Sequence, residues 1–126
     1  MNSIFRIFFV TFILGGLVGC GPRDASKKFP LMKESMEWLK SYCLNDVKLM
    51  PLWRGQGVSI KFECAVDKSV DLSDLDSQLI ARGFIFVVDY KPTKTWCKDG
   101  VGFHITVENG MRVSSYYPSS SCEAAH

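Results

Sequence analysis

The side chains best suited to chemistry in this chain are its five cysteines, its two histidines and a cluster of aspartates. Cys43, Cys64, Cys97 and Cys122 share no C-x-x-C spacing, which argues against a redox dithiol or a zinc knuckle. An even set of this kind reads as two structural bridges with three possible connectivities, and oxidised sulfurs supply no thiolate nucleophile. His104 and Ser114 fall on the polar faces of two adjacent alternating segments and by type resemble half of a nucleophilic pair. Polar neighbours across strands are common, so a structural role is preferred for them. His126 is the last residue, where side chains are seldom held in place. Asp71, Asp74 and Asp76 are spaced like a carboxylate cluster, but they coincide with a helix start, where the dipole favours carboxylates, so capping is preferred over calcium binding or acid-base work. Gly55 and Gly57 lack the lysine and helix start of a phosphate loop. The sequence therefore predicts no catalytic residue, no metal, no cofactor and no enzymatic activity.

Cys20 stands apart from the other four. It closes the stretch Leu17-Val18-Gly19-Cys20, behind an apolar run from Ile7 to Val18 that is 12 residues long, against the roughly 20 needed to span a bilayer. Arg6 precedes the run and small residues (Gly15, Gly16, Gly19) follow its centre, as in a cleavable signal segment. This stretch resembles the lipobox of bacterial lipoprotein signal peptides, Leu-x-small-Cys. The resemblance implies that Cys20 becomes the acylated first residue of the mature chain, and several acyl chains, at about 0.8 kcal/mol per buried methylene, hold a protein where one chain holds it only marginally. An aspartate after the cysteine would resemble an inner-membrane retention signal, and here that place is Gly21. In a cell with two membranes, the expected location is the outer membrane, facing the periplasm.

Cleavage before Cys20 removes 19 of the 126 residues and one of the 15 basic groups, Arg6, leaving 14 basic against 13 acidic side chains. A chain so nearly neutral gives no case for nucleic acid as a partner. The expected organisation is a signal peptide over residues 1–19, the lipidated cysteine and a polar tether over 20–30, and one domain over 31–126. A flexible ten-residue tether would average about 17 Å and reach about 35 Å when extended.

Within the domain, "LMKESMEWLKSYCL" places Met32, Met36, Leu39 and Cys43 on one helical stripe. "NDVKLMPLWRGQG", broken by Pro51, Gly55 and Gly57, reads as a loop with an unusual load of large apolar groups. "VSIKFECAV" alternates as a half-buried strand with Cys64 facing the core. "SDLDSQLIARG" reads as a short helix capped by Ser73 and stopped by Gly83. "FIFVVDY" is apolar on both faces, as in an interior strand. In the last pair of strands, a three-residue turn, with Gly110 as its left-handed residue, matches Val107 with Met111, Ile105 with Val113 and His104 with Ser114. A two-residue turn would oppose apolar to polar residues throughout.

The expected fold is α+β, with two helices on one face of a four-stranded, mostly antiparallel sheet in the order α-β-α-β-β-β. The hairpin register carries Cys97 and Cys122 into proximity, which leaves Cys43 with Cys64. The functional lead is a surface: Leu49, Met50, Leu52, Trp53 and Arg54 combine residue types enriched in binding hot spots, and the sheet face bearing Lys61, Glu63, His104, Thr106 and Arg112 is a second candidate. The expected role is a non-catalytic, membrane-anchored envelope module binding another envelope or secreted protein. An immunity or inhibitor protein against a hydrolase is one version of that role. A small hydrolase or small-ligand carrier with a cleft between helix and sheet is the rival from another class.

Overall fold

The computed structural model describes residues 21–124. Cys20, the signal segment and His126, with the readings made for them, lie outside the described residues. Helix α1 (Gly21–Lys40) buries Met32, Met36 and Leu39 of the stripe read from the sequence, whereas Cys43, its fourth member, lies past the helix end. It also takes in the segment expected to be an irregular tether. Tertiary packing explains the difference: Ala25 is fully buried and Phe29 packs on the core, so Ala25, Phe29, Met32 and Met36 extend one stripe at helical spacing. Pro30 removes one hydrogen bond within this helix, and the burial on either side offsets that loss.

Six strands form one sheet: β1 (Met50–Arg54), β2 (Gly57–Cys64), β3 (Ile85–Tyr90), β4 (Thr93–Lys98), β5 (Val101–Val107) and β6 (Met111–Tyr117). Their order is β1-β2-β6-β5-β4-β3, with every neighbouring pair antiparallel. Two further helices, α2 (Leu72–Ala81) and α3 (Ser120–Ala124), complete the described elements. The α+β class is as expected, whereas the four expected strands are six. β1 was hidden by its proline and the glycines after it. β4 was hidden because Lys94 and Lys98 interrupt its apolar content.

Strands β2 and β3, connected through α2, run in the same direction with three strands between them. β3 corrects the expectation of an interior strand: it is an edge, and Ile85, Phe86 and Tyr90 are exposed. The interior place goes to β4, which buries Thr95, Trp96 and Cys97. The β5–β6 register is the one expected, Val107 with Met111, Ile105 with Val113 and His104 with Ser114. In its turn the left-handed residue is Asn109 (φ 56°), with Gly110 beside it at φ 132°.

Helix α2 is capped by Asp71, one position before its first residue, and not by Ser73. The Asp71 carboxylate accepts from the Ser73 backbone N–H at 2.9 Å and from the Ser73 hydroxyl at 3.0 Å. Gly83 ends the turn after it at φ 91°. Its buried residues are Leu75 and Leu79, while Leu72 and Ile80 are exposed.

Both expected disulfides are present. Cys43, just past the end of α1, bonds Cys64 with a Cα–Cα distance of 5.7 Å, and Cys97 in β4 bonds Cys122 in α3 at 5.4 Å. Helices α1 and α2 cover one face of the sheet, where Val58, Ile60, Phe62, Phe103, Ile105 and Val113 join Met32, Met36, Leu39, Leu75 and Leu79 in the core. On the other face, among the described residues, α3 packs over the Cys97 end. Gly102 is needed there: a Cβ would stand 2.5 Å from the Ser119 hydroxyl and 2.7 Å from the Tyr116 ring. Among the described residues no helix is long and apolar enough to cross a membrane.

Candidate interaction surface

Strand β1 forms one edge of the sheet and turns into β2 through Gly55 and Gln56, with Gly55 at φ 51° as a two-residue hairpin requires. Alternation sends Pro51 and Trp53, opposite Ile60 and Val58, to the helix side, and sends Met50, Leu52 and Arg54, opposite Lys61, Ser59 and Gly57, to the open side. Met50 is 58% exposed, Leu52 44% and Trp53 50%. The five residues singled out as a binding loop therefore occupy one edge, four of them in a strand. Leu49 alone of the five is counted among the residues packed on the core. Trp53 is steadied by Phe29, whose ring centroid lies 5.3 Å away.

Between α1 and this edge runs an open groove of about 390 Å³, with Phe29, Leu49 and Pro51 along it and Lys33, Lys40 and Lys48 around it. Lys40 faces Glu37 at 3.6 Å and Asp46 at 3.5 Å. Among the described residues Lys33 and Lys48 form no ion pair. The edge is thus apolar with a mainly basic border, in which Glu37 is offset by three lysines. Phe29, Lys33 and Lys48 were missed in the sequence because the first two lie in or beside the supposed tether and first helix, far along the chain from β1.

The residues of the second candidate surface share one face of the sheet. Lys61, Glu63, His104, Thr106 and Arg112 all point away from the helices by register. Arg112 and Glu63 approach to 3.8 Å, both largely exposed. Thr106 and Thr93 hydroxyls lie 2.7 Å apart. His104 stands opposite Ser114 in the ladder, but its Nδ1 hydrogen-bonds Thr95 Oγ1 at 3.0 Å and its ring stacks on Tyr116, with centroids 4.9 Å apart and planes 15° from parallel. Burial pushes its pKa below the ordinary 6.5. The imidazole is therefore neutral at pH 7 and occupied by β4 and Tyr116.

The aspartates are dispersed in role. Asp71 caps α2, Asp74 lies in its first turn, and Asp76 binds the Lys94 ammonium at 2.5 Å. Hydrogen bonds from Ser73 hold the Asp71 carboxyl below its usual range. Among the described residues no group of three or more histidine, cysteine or acidic side chains is placed to hold a metal ion. Comparison of the chain with protein-family models, curated proteins and solved structures finds no match.

Proposed function

We propose that the protein is a lipid-anchored, non-catalytic module of the cell envelope that binds another protein along the edge strand β1 and the open sheet face beside it. The observation that carries this reading is β1 itself, a five-residue strand exposed throughout and bearing Met50, Leu52, Trp53 and Arg54. A solvated edge is ordinarily blunted by charge, and an apolar one marks an interaction surface. Charge indicates the partner's chemistry. Lys33, Lys48, Arg54 and Lys61 surround the apolar strip, so the matching surface is apolar at its centre and carboxylate-rich at its border. An inhibitor or immunity protein facing an acidic hydrolase is one version of this role.

The test is capture by the full-length protein from solubilised envelope and secreted fractions of its own cell, followed by titration of the purified partner. Trp53→Ala and Leu52→Asp should each weaken binding about 30-fold or more, the scale of a hot-spot truncation. A partner that binds both variants as tightly as the parent would overturn the assignment of β1. If the partner is a hydrolase, its activity should fall at stoichiometric addition. The groove beside Phe29 supports a second reading, a carrier for an amphiphilic anion. That reading predicts displacement of a fluorescent fatty-acid probe that Lys33→Glu abolishes.

A further inference from the structure

The segment between the acylated cysteine and the domain was expected to be a flexible leash, and it is the first half of a helix fixed to the sheet. We infer that the anchor holds the domain in one orientation, with the end bearing Lys27, Lys28, Arg54 and Lys98 lying on the membrane surface and the strands standing upright from it. The inference rests on acylation of Cys20.

The geometry that places this end is consistent across four elements. The Lys28 ammonium donates to the Asp99 carbonyl at 2.6 Å and lies 5.7 Å from the centre of the Tyr117 ring. Asp99 and Gly100 make the β4–β5 turn, and Tyr117 ends β6 beside Val58, next to the β1–β2 turn. Phe29 meets Trp53 one step from that same turn. Helix α1 therefore enters at the end of the sheet where two turns and the end of β6 gather. Gly21 precedes Lys28 by seven residues, about 10 Å along a helix axis, and Cys20 is one peptide bond beyond Gly21. A rigid 10 Å spacer keeps the turns within about one Debye length of the headgroups. A leash would let the domain tumble.

Charge is arranged to match. The near end carries Lys27, Lys28, Arg54 and Lys98 beside Asp99, while Asp67 and Asp71, both held ionised by serine hydrogen bonds, lie toward the opposite end with Glu108 and outnumber Lys68 there. Basic groups beside an anchor are drawn to anionic lipids, and like charge at the far pole opposes a flipped or flattened pose. The bilayer is thus the surface this end is built to meet. The consequence for the proposed role is that β1 and the open face are presented sideways, with the far turns about 24 Å further out for seven-residue strands.

Hydrogen exchange of the full-length protein, purified from membranes and reconstituted into vesicles of phosphatidylcholine with about a third phosphatidylglycerol, tests this. Amides of residues 54–57 and 98–101 should exchange at least 5-fold more slowly than in detergent micelles, while the Asn109–Gly110 turn stays unchanged. Lys27→Gln with Arg54→Gln should remove most of that protection. Intact mass separates the two levels of the argument. A chain lacking acyl mass at Cys20 overturns the anchor and the orientation together. An acylated chain whose two ends exchange alike, or whose far end is the protected one, overturns the orientation alone.

Discussion

The imidazole of His104 is held between Thr95 and Tyr116, and burial keeps it neutral at pH values where an exposed histidine begins to charge. The sign of the linkage follows. The unfolded chain takes up a proton near 6.5 that the folded chain resists, so this group's contribution is complete above that value and is lost as pH falls below it toward the folded pKa. Of the charged groups sharing the face, Glu63 and Arg112 pair with each other and Lys61 has the same sign as a protonated imidazole, so none offsets this. Urea unfolding at pH 7.5 and 5.0 should show a fall in stability that shrinks in His104→Gln, and an unchanged fall would show that other groups set the acid sensitivity. The sequence placed His104 and Ser114 opposite each other correctly. It could not show that the ring turns to β4 instead, because β4 itself was not visible. Trp53 is the other residue whose meaning depends on its neighbour. Its Phe29 contact and half-buried face imply a cost of about 1–2 kcal/mol for Trp53→Ala, small enough to leave a folded protein in which a loss of binding is interpretable.

At the level of elements, local patterns were legible where the pattern and the packing agree. The β5–β6 register and the Met32–Met36–Leu39 stripe are both local alternations whose apolar side is also the buried side. The first half of α1 and strands β1 and β4 were not legible, since a helix over Gly21–Pro30 exists because a sheet assembled from residues far along the chain covers Ala25 and Phe29. Sheet order is likewise a long-range outcome, which is why the apolar β3 is an edge. The other edge has its own safeguard in Pro51. The closing pair of a two-residue hairpin, Arg54 with Gly57, is hydrogen-bonded, so the alternating pairs make Pro51–Ile60 a non-hydrogen-bonded pair, with the Pro51 nitrogen facing outward. A proline there removes a donor from the open edge and discourages strand addition. The partner binding proposed at β1 would thus work through side chains. Pro51→Val should restore the donor and produce concentration-dependent self-association in sedimentation velocity, whereas a variant that stays monomeric at high concentration would show that the twist of the edge, and not the proline, protects it.

For the whole molecule, the two disulfides divide the sheet between them. Cys43–Cys64, spanning 21 residues, encloses β1 and most of β2, and Cys97–Cys122, spanning 25, encloses β5 and β6. Closing loops of this length restricts the unfolded chain by about 3 kcal/mol each on the chain-entropy account, a large part of the roughly 5–15 kcal/mol expected for a single domain. The loops do not overlap, so their effects should add. Cys43→Ser with Cys64→Ser should lower unfolding stability by about 3 kcal/mol, Cys97→Ser with Cys122→Ser by a similar amount, and the fourfold variant should be close to unfolded at 25 °C, all read by urea titration. The first pair has a further consequence, because the enclosed segment contains the proposed binding edge, which has exposed side chains throughout and one neighbour strand. Without that bridge, amide exchange in β1 should accelerate well before exchange in β4, β5 or β6. Uniform acceleration across the sheet would instead mean that β1 opens only with the whole domain, leaving the bridge no special part in holding the binding edge in place.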